Sequence, residues 1–407
     1  MLFKLGLKNL KHNLLMNILI VLQMTVTFVI LVTMISTIVS RFKYYAPLKE
    51  LLNSRGNYYN VTYGVNPETK QTIRTSEELS ELVQGEEKII SQFSVWLEYK
   101  DPKNNSLGGR FVSYDKEFIN MLHPEMKSGY WLNPNETDEG IVQVVVSQNE
   151  YDIKTGDIIS LFFIDTEIKA KVIGVLMDDT KIFLPSLNDT NDIDYRSLYT
   201  NYKSEREGEP IFIFSQSDLI DKMVNMQIDG NLFITYPPDT PDEVIEDADK
   251  AIRRLHTLQT STLKDLKKNS LKYIFSQIYN LIPIFICVLI LTLVGAISTS
   301  ALLAKQQLHN YAVYYICGLK WKQCAIVNCW SSFICVMISF ITSIIAMVIL
   351  KTSGILGETV IEIGIGELSG CLVLIIIYVA LSNILPITII GMELSSNVQS
   401  ENTQNLG

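Results

Sequence analysis

The chain has 407 residues, of which 48% are hydrophobic, and a formal net charge of −9 at pH 7. Charge is segregated: 38 of the 43 acidic and 25 of the 34 basic residues lie between Lys43 and Lys268, so the ends carry very little. The acidic middle argues against a nucleic-acid partner, and it holds none of the six cysteines (Cys287, Cys317, Cys324, Cys329, Cys335 and Cys371), which excludes a disulfide scaffold there.

In residues 1–13, Lys4, Lys8 and Lys11 recur at helical intervals while Phe3, Leu7, Leu10 and Leu14 recur on another face. This reads either as an interfacial amphipathic helix under the inner leaflet or as a basic topogenic flank. Residues 14–40 contain no charged side chain and exceed the roughly 20 residues that cross a bilayer, so they are expected to form the first transmembrane helix. A cleaved signal peptide would have a shorter apolar run and a small-residue cleavage site, whereas this run ends in Ile38-Val39-Ser40-Arg41.

Residues 41–268 read as a soluble α+β, strand-rich domain. Strand-like runs bounded by turn residues occur at Tyr58–Tyr63, Ile89–Tyr99, Ile141–Ser147, Ile158–Ile164, Glu167–Leu176, Ile211–Phe214 and Leu232–Tyr236. The turn residues Asp165-Thr166 between two of these predict a hairpin. Thr240-Pro241-Asp242-Glu243 has the makings of a capping box. The register from Val244 through Ala248, Ala251, Ile252 and Leu255 points on toward Leu263 and Leu266, either as a stalk entering the next span or as a surface helix ending before Lys268.

Three further uncharged segments, 273–304, 324–350 and 368–392, predict transmembrane helices two to four. The connection 305–323 carries Lys305, His309, Lys320 and Lys322, whereas 351–367 carries Glu358, Glu362 and Glu367 against Lys351. By the positive-inside rule both termini (the tail being 393–407) and the 305–323 connection are cytoplasmic, and the acidic domain is outside. Arg41 and Lys43 fall on the wrong side for this scheme.

Within 305–323, Leu308, Tyr311, Ala312, Tyr315 and Ile316 repeat at three- and four-residue spacing, giving a short amphipathic helix with aromatic anchors for a partner's pocket or for lipid headgroups. Gly318 is placed to end it. Ala296, Ser300 and Ala304 put small side chains on one face of the second span, where another helix can approach closely.

The sequence offers no catalytic, cofactor or metal site. There is no GxxxxGK[ST] loop for ATP and no HExxH, and Lys351-Thr352-Ser353-Gly354 lacks an SxxK companion. His12, His123, His256 and His309 are scattered. Asn60-Val61-Thr62, Asn135-Glu136-Thr137 and Asn188-Asp189-Thr190 match the glycosylation sequon, a pattern short enough to arise by chance. No Asp, Glu, Lys or Arg lies within a span to mark an ion path.

In three places the chain resembles the MacB-like and FtsX-like ABC transporter permeases. The opening Leu5-Gly6-Leu7-Lys8-Asn9-Leu10-Lys11-His12-Asn13 is similar to that family's basic start. Gly129-Tyr130-Trp131-Leu132, then Val142–Ser147, Thr155-Gly156-Asp157 and Val172-Ile173-Gly174-Val175, follow the order of its outer-domain core. Tyr311 through Gln323 resembles its coupling segment, with Asn310 and Tyr315 standing where the family often has glutamate and arginine.

The resemblance implies a bacterial cell-membrane protein with a MacB-like extracytoplasmic domain that is not itself an enzyme. Its partners would be a cytoplasmic ABC ATPase subunit, which binds the ATP, and a second permease copy or paralogue. ATP-driven motion would be relayed to the outer domain for export of a peptide, antibiotic or lipid-linked substrate. The same layout also suits a sensor or regulator of cell-wall hydrolases.

Overall fold

The structure is a computed structural model that describes residues 5–7, 10, 14–63, 80, 83, 85–133, 141–163, 166–178, 180–185, 192–200, 209–216, 228–253, 257–352 and 364–404. Lys4, Lys8, Lys11, His12, His256, the sequons at Asn135 and Asn188, and the loop glutamates Glu358 and Glu362 lie outside the described residues. The chain divides into two compact units, residues 43–273, and residues 1–42 with 274–407.

In the first unit, the end of α1 (Leu14–Tyr45) leads through a 3-10 turn and α2 (Lys49–Asn53) into β1 (Arg55–Tyr63), β2 (Lys88–Lys100) and β3 (Ser106–Tyr114). Then come α3 (Lys116–Met121), β4 (Met126–Gly129), β5 (Val142–Val146), β6 (Ile158–Phe163) and β7 (Thr166–Leu176). A small pair, β8 (Ile182–Phe183) and β9 (Tyr199–Thr200), precedes β10 (Ile211–Ser215) and β11 (Ile228–Tyr236); α4 (Asp242–Arg253) and β12 (Thr257–Thr262) complete the unit's elements before α5 (Leu263–Gln306). The seven strand runs read from the sequence are therefore all strands, and β6 pairs with β7 as the expected hairpin, Phe163 opposite Thr166.

The main sheet runs β12-β1-β11-β2-β3-β10-β5-β7-β4. Pairing is antiparallel except for β3 with β10 and β5 with β7. Because β6 pairs with both β2 and β7, the path β2-β3-β10-β5-β7-β6 closes on itself as a small barrel, and closure removes exposed edges. Alternation fills its interior: Val95, Leu97, Tyr99, Phe111, Phe212, Phe214, Val144, Val146, Leu161 and Val172 are all buried. Phe111 stacks on Phe212 at 4.7 Å and Tyr99 meets Phe212 edge-on at 4.9 Å. Gly109 leaves room for them, since a Cβ there would stand 3.1 Å from the Tyr99 ring and 3.2 Å from that of Phe212.

The opposite face of the sheet carries a buried amide ladder across three strands. Asn231 accepts from the Tyr58 hydroxyl at 2.7 Å and from Asn60 at 2.8 Å, and donates to Gln92 at 2.6 Å. Beside it, Asp115 caps α3, accepting from the amides of Phe118, at 2.8 Å, and Ser91. Burial pushes its carboxyl up to about 6, against the opposing pull of those two amides.

The stalk reading is corrected. α4 stops at Arg253, which turns back to pair with Asp249 and to bond Thr260. The Thr/Ser-rich run that follows pairs with β1 instead of continuing the helix, as suits β-branched residues whose backbone bonds the sheet satisfies. A new helix, α5, then begins at Leu263, with the Thr262 hydroxyl accepting from the Asp265 amide at 3.0 Å.

The second unit contains most of α1 and α5, together with α6 (Leu308–Ile316), α7 (Trp321–Thr352) and α8 (Ile365–Gln404). Leu14–Asn53, Leu263–Gln306 and Lys322–Leu350 are long and apolar enough to cross a membrane, and Leu368–Ile384 within α8 is a shorter apolar helix. Hydroxyls join the helices: buried Thr27 to Thr292 at 2.7 Å, and half-buried Thr25 to Thr342 at 2.8 Å. Phe28 meets Phe340 edge-on at 5.8 Å. Hydrogen bonds and close packing of this kind hold helices together where lipid removes the hydrophobic drive.

Candidate docking site on the short connecting helix

α6 lies in the nineteen-residue interval whose spacing had marked it in the sequence, and its boundaries have local causes. At its start, the Gln307 amide bonds the carbonyls of Leu303 and Ala304 at 3.0 and 3.2 Å, closing α5, while its carbonyl accepts from Tyr311 at 3.0 Å, opening α6. At its end, the amide of Gly318 bonds the Tyr315 carbonyl at 2.9 Å and that of Leu319 bonds Tyr314 at 3.0 Å. With Gly318 at φ +96°, this is a Schellman closure, and Leu319 and Tyr314 pack on the same small core as its usual apolar clasp. α7 then opens with Gln323 reaching back to the Lys320 amide at 2.8 Å.

The two faces of α6 differ from the expected arrangement. Tyr311, read as an outward anchor, is fully buried among Ala304, Cys324 and Val327, with Leu5 and Tyr314 beside it. Its hydroxyl lies 2.8 Å from Gln307 Oε1 and 3.3 Å from Asn328 Oδ1, and Asn328 in turn donates to Asn383 of α8 at 2.7 Å. A hydrogen-bonded chain thus ties α6 to α7 and α8. The outward face is Val313, Tyr315 and Ile316, the last 83% exposed, while Leu308 and Ala312 are half-buried at its margin. Exposed cations Lys305, Lys320 and Lys322 flank it.

Ala296, Ser300 and Ala304, read as a face that another helix can approach closely, make contacts within the chain. All three are buried: Ala296 in the bundle core, Ala304 under Tyr311, and Ser300 against a cavity of about 10 Å³ shared with Asn17, Gln307, Asn328, Ser331 and Cys335. That space suits one water molecule among polar side chains. The Gln307–Tyr311–Asn328–Asn383 network was not anticipated, although Asn328 and Asn383 in otherwise apolar helices were the signal for it.

The fold and the site define a membrane protein with several apolar helices and a large strand-rich domain inserted after the first of them. No family model matches the sequence, and no curated protein does. Among solved structures the chain is similar to the extracellular domain of the noncanonic ABC-type transporter YknZ from Gram-positive bacteria, at 13% identity over 49% of this chain and 92% of that one, with a TM-score of 0.30. It is also similar to the periplasmic region of MacB from Actinobacillus actinomycetemcomitans, at 13% identity over 56% and 98%, with a TM-score of 0.32.

Proposed function

We propose that the chain is the permease subunit of an ABC transporter of the MacB/FtsX type, with four spans, cytoplasmic termini and the strand-rich unit outside the cell. A separate ATPase binds ATP and moves α6, and the helices relay that motion to the outer domain. The observation that carries the reading is the outward face of α6: Val313, Tyr315 and Ile316 form an apolar tip on a helix held firmly from behind by Tyr311. An exposed aromatic and aliphatic cluster on a short, well-capped helix has the character of an interface anchor. A second permease copy or paralogue would join through a face other than Ala296, Ser300 and Ala304.

The test is co-purification with a P-loop ABC ATPase subunit. Tyr315→Ala combined with Ile316→Asp removes two anchors, each worth about 2 kcal/mol of binding. The variant is expected to insert and to melt like the parent, while losing the ATPase and its stimulated ATP turnover. Undiminished binding by this variant refutes the site.

A further inference from the structure

The exposed arc of α5 changes character along its length. Lys264, Lys268 and Lys272, then Phe275 and Tyr279, then Ile282, Ile286 and Ile290 are all exposed. At 100° per residue these eight positions fall within about 80° of one another on a continuous helix. The isoleucines match hydrocarbon, the aromatic pair matches the lipid–water boundary, and the lysines follow at headgroup level and beyond. None of the three lysines has an ion pair among the described residues, and Asp265 is the sole acidic residue of the helix.

We infer that Lys268 and Lys272 bind the phosphate of an anionic phospholipid in the leaflet at the Leu263 end of α5. At 1.5 Å per residue, Lys272 stands about 4.5 Å and Lys268 about 10 Å beyond Phe275. The headgroup layer is about 5–8 Å deep on each side, so Lys272 lies within it and the flexible stem of Lys268 reaches back to it. Lys264, about 16 Å beyond Phe275, contributes only longer-range attraction, weakened by salt. Charge complementarity selects the occupant: unpaired ammonium groups standing over the aromatic belt match a diester phosphate carrying no compensating cation. A positive stripe here stands out because the unit that contains it is otherwise acidic. The inference needs α5 to span a membrane and does not depend on an ATPase partner.

The experiment titrates the purified full-length chain in detergent with phosphatidylglycerol or phosphatidylcholine and counts bound lipids by native mass spectrometry. The parent should show a phosphatidylglycerol-selective site. Lys268→Gln with Lys272→Gln should weaken that site about 25-fold, about fivefold per lysine, and leave phosphatidylcholine binding unchanged. Lys268→Arg with Lys272→Arg should keep it, and so should Lys320→Gln with Lys322→Gln at the far end of the bundle. Retention of the selective site in the double Gln variant overturns the inference, as does its loss in the double Arg variant or its transfer to the Lys320 and Lys322 pair. Displacement of the lipid by excess inorganic phosphate also overturns it, since the stripe would then be a free-anion site. Melting of the Gln variant at the parent temperature would show that charge, and not folding, was removed.

Discussion

Replacing Tyr311 separates the inward face of α6 from its outward one. Tyr311→Ala removes a fully buried ring from the cluster with Ala304, Cys324 and Val327, a change that costs about 3–5 kcal/mol when a core aromatic is truncated. It also takes the hydroxyl from beside Gln307 and Asn328, adding about 1–3 kcal/mol for a buried acceptor left without the one proton the hydroxyl donates. Tyr311→Phe keeps the ring and loses only that second contribution, whereas Tyr315→Ala alters an exposed side chain and should cost less than about 0.5 kcal/mol. A thiol-reactive dye provides the assay in the detergent-solubilised full chain, because Cys324, Cys335 and Cys371 are buried and react on unfolding. At about 2–4 °C per kcal/mol, Tyr311→Ala should melt at least about 8 °C below the parent and Tyr311→Phe about 2–12 °C below it. Parent-like melting of Tyr311→Ala, or an equal loss in Tyr315→Ala, would refute this assignment of faces.

At Gly318 a Cβ would meet nothing within 4 Å, so substitution there strains only the backbone. Gly318→Ala should cost about 1 kcal/mol, Gly318→Asn less and Gly318→Val more, in the order set by tolerance of positive φ, and an order set by side-chain size alone would contradict this. Asp115 binds its proton more tightly folded than unfolded, since burial raises it from 3.8 to about 6. Its stabilising contribution is therefore present below about pH 4 and is lost as pH rises through about 6. Asp115→Asn does not titrate and keeps one oxygen to accept from either Phe118 or Ser91, a loss that is the same at every pH; after a discount for partial exposure, it should gain on the parent by about 1–2 kcal/mol between pH 4 and pH 7. A difference in melting between the two that is constant with pH would show that this carboxyl is not perturbed.

Long alternating runs were legible because they are buried on at least one face, and the seven strands they predicted are present. β3 escaped notice because Gly108 and Gly109 dilute its pattern, although Gly109 is what lets the barrel aromatics close. β12 was hidden by an apparent helical register linking Ile252 to Leu263, which the pairing of Thr257–Thr262 with β1 overrides. On α6, periodicity located the helix and glycine located its end, but apolar residues surround the helix almost completely. Spacing could not tell the Tyr311 and Tyr314 side from the Val313 and Ile316 side, and packing against α7 decided it. Small residues on α5 likewise announced close approach without naming the neighbour, which proved to belong to the same chain.

The strand-rich unit is entered through β1 and left through β12, and these two strands lie side by side at one edge of the sheet, with Asn57 opposite Thr262, Tyr58 opposite Ser261 and Tyr59 opposite Thr260. Ladder bonds in an antiparallel pair run across the strands. A load drawing Arg55 away from Leu263 therefore pulls along those bonds at the open end of the pair, and they part in succession like a zipper. A load directed along the strands would instead meet the whole row in shear. The unit is thus compliant to spreading of its two attachment points and stiff to sliding of one past the other.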